Sequence, residues 1–332
     1  MSSVSRSPMN VLLRWALWPV LLVSLFGFAG RYHWLLDLCA HFRVYYALGA
    51  ALVAALAFVR RDAFTGSAAL AVLVVNAALI LPFYVYPREH LPAGAATLRL
   101  LHFNVDLDNY ARHAEVGRYL DGSGADVVLV VETDRKWVDA LHAALWHYTL
   151  VVSTTDGFRN KYYGSALFLR RAAAARVTVR DAQVVFLEPS RGHPSLAAHL
   201  QFAGRPIALL GVHQHPPYSA AHAGIRDEQF REAASWLRRQ PSARIMLGDM
   251  NATPWSFHYR QLIERTGLLN AQLGFGLHPT WLPLRDHWLG VPIDHCLHSP
   301  QLAITSFAQG PNLGSDHRPL LVQLGWSVGQ GG

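Results

Sequence analysis

The chain has 332 residues, 52% apolar and only 15% charged, against roughly 25% charge in an average soluble domain. That composition excludes a disordered or polyelectrolyte chain, which needs low hydrophobicity, and the two cysteines, Cys39 and Cys296, supply neither a disulfide framework nor a thiolate zinc cluster. The net charge of +7 is uneven: residues 1–92 hold seven Arg against three acids, and residues 93–332 hold 22 basic against 19 acidic residues, leaving only +3.

The first quarter reads as membrane. Residues 11–29 are apolar except for Arg14 and Ser24, 44–59 carry no charge, and 67–85 carry none. A hydrocarbon core about 30 Å thick needs about 20 apolar residues in a helix. The spacing predicts three transmembrane helices, at about 11–29, 43–59 and 67–85, with Pro19 a tolerated kink. Trp15, Trp18, Trp34, Tyr45, Tyr46, Tyr84 and Tyr86 fall near segment ends, as interfacial aromatics do. A buried core helix is the competing reading of each segment, and a signal peptide accounts for the first alone. With the N-terminus inside, Arg6, Arg14, Arg60 and Arg61 lie on the inner side and Arg31, Arg43 and Arg88 on the outer. That margin, with an odd number of spans, places the rest of the chain outside the cytoplasm of a bacterial inner membrane. Pro87, Pro92 and Gly94 read as a linker, dividing a membrane anchor at 1–92 from a catalytic domain at 93–332.

Beyond the linker, strands are expected at 97–103, 126–131, 165–170, 176–187, 195–202, 205–213, 243–248, 292–297 and 319–324, and helices at 110–121, 135–145 and 219–239. Several strands follow one another without a helix between them. This suits a layered α/β sandwich of mixed sheets better than a doubly wound parallel sheet. Cys296 fits as a small core residue.

Isolated polar residues fall at the ends of these apolar runs. Asn104 ends LRLLHFN, Glu132 ends DVVLVVE, His213 ends IALLGVH, and Asp249 and Asn251 close RIMLGDMN; Asp294 interrupts VPIDHCL, and Asp316 and His317 precede the last strand. A carboxylate at a buried strand end is costly unless it binds a metal or a partner. Asp249 alone could be a helix N-cap, but six such ends in one domain exceed what capping explains. Oxygen donors without sulfur suit Mg²⁺ or Mn²⁺. HExxH, GxSxG and a phosphate-binding glycine loop are all missing from the sequence. The set suits metal-assisted attack of water on a phosphoester.

These stretches, in this order, resemble the endonuclease/exonuclease/phosphatase superfamily, the DNase I-like fold, over about 97–324. LLHFNV, VVLVVETD, YYGSALFL, LLGVHQHPP, IMLGDMNATPWS, PIDHCLHS and GSDHRPL carry the resemblance, the GDxN and SDHxP stretches most specifically. It implies a four-layer α/β sandwich of two mixed sheets and a metal-dependent phosphoric ester hydrolase. It further implies that Glu132 binds Mg²⁺ (or Mn²⁺) with Asn104 and Asp316 near it, that Asp249 activates water, and that Asn251 contacts the phosphate. Asp294 then orients His317, His213 contacts the phosphate or assists proton transfer, and Tyr163, beside Tyr162, is a substrate-binding candidate. His215, His258, His295 and Trp255 have weaker claims.

The absence of an Asn-rich stretch at His213, of paired cysteines and of any Lys/Arg-rich run disfavours a nuclease. The expected function is a membrane-anchored Mg²⁺-dependent phosphoesterase acting on a phosphate ester or pyrophosphate, a lipid-linked one leading. The partners are the bilayer, through the N-terminal helices, and a phosphorylated small-molecule or lipid substrate. An anchored nuclease acting on DNA or RNA and a non-catalytic sensor on this fold are the alternatives. The intact polar set argues against the sensor.

Overall fold

In a computed structural model, residues 8–154, 164–188, 193–241, 243–284 and 289–327 are described. The N-terminal region is helical: α1 (Pro8–Phe26), the short α2 (Trp34–Leu38), α3 (Arg43–Val59), α4 (Ala63–Ile80) and α5 (Pro82–Val85). Three stretches are long and apolar enough to cross a membrane: Pro8–Phe26, Trp34–Val59 and Ala63–Ile80. The third begins four residues before the expected 67 because Asp62 caps it, accepting from the Thr65 N–H at 3.3 Å. It stops before Pro82, which has no N–H with which to continue the ladder. Arg14, the charge inside the first segment, is paired: its guanidinium reaches both oxygens of Asp62 at 3.1 Å. Arg43, Ser24 and Asn76 tie the three long helices together, with Arg43 donating to the Ser24 carbonyl at 2.7 Å and Asn76 to the Ser24 hydroxyl at 2.8 Å. Polar groups between apolar helices are tolerated when they find one another in this way.

Residue contacts group Met1–Val85 with Ala252–Arg260 as one unit, and Tyr86–Asn251 with Gln261–Gly332 as the other. Residues 86–92 therefore belong with the second unit, where Arg88 donates to the Gly274 carbonyl at 2.6 Å and the Ser327 hydroxyl donates to Glu89 at 2.9 Å.

The second unit contains β1 (Thr97–Asn104), α6 (His113–Gly122), β2 (Val127–Val131), α7 (Arg135–Ala144), β3 (Tyr148–Ser153), β4 (Ser165–Arg170), β5 (Val177–Phe186), β6 (Pro194–Phe202) and β7 (Arg205–His213). It continues with α8 (Ala220–Arg238), β8 (Ala243–Asp249), β9 (Leu269–Asn270), β10 (Asp294–His298), β11 (Leu302–Gln309) and β12 (Leu320–Trp326), while α9 (Phe257–Thr266) starts within Ala252–Arg260. The strands form two mixed six-stranded sheets, β11-β12-β1-β2-β4-β3 and β5-β6-β7-β8-β10-β9. Each sheet has one parallel pair at its centre, β1–β2 in the first and β7–β8 in the second.

Strand parity explains the packing, because alternate residues face opposite sides of a sheet. Leu98, Leu100, Val127, Leu129, Ile207, Leu209, Ile245, Leu247 and Cys296 fill the core between the sheets. The other face of the first sheet, with Leu101, Phe103, Val128, Val130 and Phe168, packs on Val116 and Leu120 of α6 and on Trp137, Val138 and Leu141 of α7. Buried Ala223, Phe230, Ala233, Ala234 and Leu237 turn α8 inward, against β7 of the second sheet. The result is the helix–sheet–sheet–helix sandwich expected from the sequence. The strands β3, β9 and β11 and the helix α9 were not expected. Register shifts at Leu150/Val152 and Ile304/Ser306 interrupt the alternation by which a strand is read in sequence.

Candidate active site

The core stripe between the sheets turns polar where the central strands end. Leu98 and Leu100 are followed at the same parity by His102 and Asn104, Ile207 and Leu209 by His213, Ile245 and Leu247 by Asp249, and Cys296 is preceded by Asp294. Register does the rest: His213 lies opposite Asp249, and Asp249 opposite Asp294. Two left-handed backbones complete the turn out of the strands, at Glu132 (φ 56°) and Asn251 (φ 45°). Such conformations in residues other than glycine cost energy and cluster at functional sites.

Asn104 joins the two halves. Its amide donates to Glu132 Oε1 at 2.9 Å and to Asp249 Oδ2 at 3.2 Å. The Ser315 hydroxyl donates to the Asn104 carbonyl at 2.8 Å and accepts the His317 N–H at 3.0 Å. His213 Nε2 stands 3.6 Å from Glu132 Oε1 and 3.7 Å from Asp249 Oδ2. Burial lowers the His213 imidazole to about 3, helped by His317 and His102, so it is neutral at ordinary pH.

Asp294 is buried between two imidazoles, with Oδ2 2.8 Å from His317 Nδ1 and Oδ1 2.8 Å from His102 Nε2. Its backbone N–H donates to the Thr280 hydroxyl at 3.0 Å. Burial would raise its pKa, but His317 and His102 outweigh burial and hold the carboxyl well below the usual range. For His317, burial works against the charge, yet Asp294 and Asp249 raise the imidazole to about 10. His317 Nε2 is 3.7 Å from Asp249 Oδ2. Asp249, buried beside Asp294, is pushed up to about 8, and its Oδ1 accepts the Asn251 N–H at 2.9 Å. The Asn251 amide donates to the Gln214 carbonyl at 2.9 Å. Glu132, with its side chain 24% exposed, is raised chiefly by burial and further by Asp316, against the Asn104 hydrogen bond. Asp316 is fixed by the Trp281 indole, which donates to its Oδ2 at 2.9 Å.

Asp249, Asp294 and His317 each offer a ligand atom within 4.8 Å of the others, close enough to hold a metal ion. Both Asp294 oxygens are already spent on imidazoles, however. Glu132 and Asp316 are the more open donors, and with the buried Asn104 oxygen beside them they offer the carboxylate and amide oxygens that suit a hard divalent cation. Burial, and after it the neighbouring Asp316 carboxylate, raises Glu132, so a cation held at this place would favour both charges.

Asn104, Glu132, His213, Asp249, Asn251, Asp294, Asp316 and His317 are thus all placed at the ends of the central strands or in the turns beside them. Tyr163 and its neighbour Tyr162 lie outside the described residues. Gly164, next in the chain, is described: a Cβ there would stand 1.7 Å from the Thr133 carbonyl oxygen. The sequence reading missed His102, Ser315, Thr280 and Trp281. His102 had a signal, since it is two residues from Asn104 and shares its strand face. Ser315, Thr280 and Trp281 act from turns and bridges, which carry no period.

A model of the endonuclease/exonuclease/phosphatase family matches residues 101–317. No curated protein matches the chain. Solved structures share its fold. A humanized D. rerio TDP2 is 19% identical with a TM-score of 0.56, covering 69% of this chain and 98% of that one. An endonuclease/exonuclease/phosphatase from Bacteroides vulgatus is 18% identical with a TM-score of 0.57, covering 70% and 100%. A mannosyl-6-phosphatase from Bacteroides thetaiotaomicron is 16% identical with a TM-score of 0.53, covering 68% and 99%.

Proposed function

Because the chain belongs to the endonuclease/exonuclease/phosphatase family, whose members are metal-dependent phosphoric ester hydrolases, we propose that it is a membrane-anchored, Mg²⁺-dependent phosphoesterase. Its substrate is a phosphate ester or pyrophosphate presented at the bilayer surface, a lipid-linked one first. Residues 1–92 serve as the anchor and 93–332 as the catalytic domain, outside the cytoplasm. The observation that carries the reading is the Asp294–His317 pair beside Asp249, with Asn104 joining Asp249 to Glu132.

Asn104, Glu132 and Asp316 would hold the cation, which when bound screens phosphate charge and polarises the phosphoryl group. Asp249, whose carboxyl is raised by burial and by Asp294, takes a proton from the attacking water. Asp294 fixes the ring and tautomer of His317, leaving Nε2–H free to donate to the phosphoryl oxygens as charge develops on them. The second N–H of the Asn251 amide is available to the phosphate, the first being taken by Gln214. Neutral His213 accepts or donates one further hydrogen bond at the same place. The small basic excess of residues 93–332 favours a small or lipid phosphate over nucleic acid.

The test uses the full chain in detergent and in nanodiscs, against phosphomonoesters, phosphodiesters, lipid pyrophosphates, DNA and RNA. Hydrolysis of a phosphate ester or pyrophosphate is expected, abolished by EDTA and restored by Mg²⁺ or Mn²⁺. Full activity in EDTA, or cleavage of nucleic acid alone, contradicts the proposal.

A further inference from the structure

We propose that Arg226 and Gln229, one turn apart on α8, are positioning residues for catalysis: Arg226 holds the backbone of Asn251 and Gln229 that of His215, so the helix sets the two turns that leave β7 and β8. The inference rests on the phosphoesterase reading of the site.

The inward face of α8 is apolar at Ala223, Phe230, Ala233 and Leu237, and Arg226 and Gln229 interrupt it, 0% and 1% exposed. Three residues apart, they lie on the same side of the helix. Polar groups withdrawn this far from water are costly unless each meets a partner. The Arg226 guanidinium donates from Nη1 to the Asn251 carbonyl at 3.2 Å and from Nη2 to Asp227 Oδ1 at 3.3 Å. Gln229 Oε1 accepts the His215 N–H at 2.8 Å. The two turns are also bonded to each other, since the Gln214 N–H donates to the Asp249 carbonyl at 2.9 Å and the Asn251 amide donates to the Gln214 carbonyl at 2.9 Å. All of these residues lie in the sandwich unit.

Asn251 gives these contacts their purpose. Its φ of 45° is a conformation that persists only where the surroundings over-determine it. Its N–H is held by Asp249 Oδ1 and its side-chain amide by Gln214, both from the strand ends. Arg226 takes the carbonyl, and so completes the restraint from outside the turns. Without it the peptide after Asn251 can rotate, and the second amide N–H leaves the place where it meets the phosphate. The metal donors Asn104, Glu132 and Asp316 stand on other elements. The expected loss is therefore in the chemical step rather than in metal binding.

The experiment uses the full chain in nanodiscs with Mg²⁺, with p-nitrophenyl phosphate and bis(p-nitrophenyl) phosphate as probes. Arg226→Met, which keeps most of the side-chain bulk and removes its donors, should lower kcat at least about tenfold, on the scale of small misplacements of a catalytic group, while KM and the Mg²⁺ dependence hold within about threefold. Arg226→Lys, which keeps one donor, should recover part of the loss. Gln229→Leu should lower kcat several-fold, and Gln229→Glu, which keeps the acceptor oxygen, much less. An Asn251→Gly background adopts positive φ freely and lacks the amide. There Arg226→Met should cost less than about twofold, because Arg226 acts through Asn251. Hydrogen exchange at 214–215 and 249–251 should accelerate in Arg226→Met while 207–212 and 243–248 stay protected. Equal losses in the two backgrounds, or wild-type kcat with wild-type exchange in Arg226→Met, overturn the proposal. So does Phe230→Leu, on the same face of α8, if it lowers kcat as far as Arg226→Met at an equal loss of Tm, the mark of a purely structural role. Should Arg226→Met fail to fold, Arg226→Lys and Gln229→Leu carry the same comparisons. If wild-type protein hydrolyses neither probe, the phosphoesterase reading is what fails. The exchange measurement then still decides whether Arg226 holds Asn251.

Discussion

Asp294 accepts from two imidazoles at 2.8 Å, so the charge of His317 depends on it. His317→Ala should lower kcat by roughly 10²–10³, the scale for losing one preorganised donor. Asp294→Asn should cost less, and the double variant should be little worse than His317→Ala, because the two act as a unit; strictly multiplicative losses in steady-state kinetics would contradict the pairing. The same groups give stability a pH profile. His317 is raised from 6.5 to about 10, so its contribution is fully present below about pH 6.5 and is lost as pH rises toward 10. His213 is depressed from 6.5 to about 3, so the unfolded chain binds its proton first, and stability falls as pH drops from about 6.5 toward 3. Asp249, raised from 3.8 to about 8, likewise favours the folded state at low pH and loses that contribution as pH rises toward 8, opposing His213 on the acid side. The melting temperature in detergent should therefore fall as pH rises above about 6.5, with His317→Gln flattening that side. Most of these residues were legible because each is one polar side chain closing an apolar run. His102 shares the strand face of Asn104 but was passed over, because it sits inside the run, where a lone histidine reads as core.

The strands aim these residues, and their glycines set how closely the backbones approach. Gly248, just before Asp249, has a φ of 146°, and a Cβ there would stand 1.9 Å from the Val212 carbonyl oxygen on β7. Gly248→Ala should therefore push the end of β8 from β7. The expected cost is roughly 1–3 kcal/mol of stability and about 10²-fold in kcat, the scale for a misplaced base; melting and kinetics on one preparation would show both. Glu132→Gln should leave the fold intact but raise the Mg²⁺ concentration needed for half-maximal activity at least about tenfold, read by titrating activity against Mg²⁺. The central strands were legible from their hydrophobic runs. The edge strand β3 and the bulged β11 were not, since a bulge flips the side-chain parity that a sequence pattern relies on.

At the scale of the whole molecule, three apolar helices and a phosphoesterase sandwich were legible because each has its own composition. The grouping of residues 252–260 with the helices was not, since ATPWSFHYR carries no period that would assign it to either unit. A reporter fused after residue 332 should be active as a periplasmic alkaline phosphatase and dark as a fluorescent protein that matures only in the cytoplasm; the opposite result would reverse the topology. The two sheets also repeat one plan, each with a single parallel pair at its centre, and Asn104 and Glu132 come from one pair while His213 and Asp249 come from the other. Neither half of the chain holds a working set alone. The contacts that join them span long stretches of sequence, 145 residues from Asn104 to Asp249 and 192 from His102 to Asp294. Loop closures of that length are late and slow in folding. In refolding from denaturant, strand signals should therefore return first and enzymatic turnover last, with turnover tracking the moment when the two halves dock.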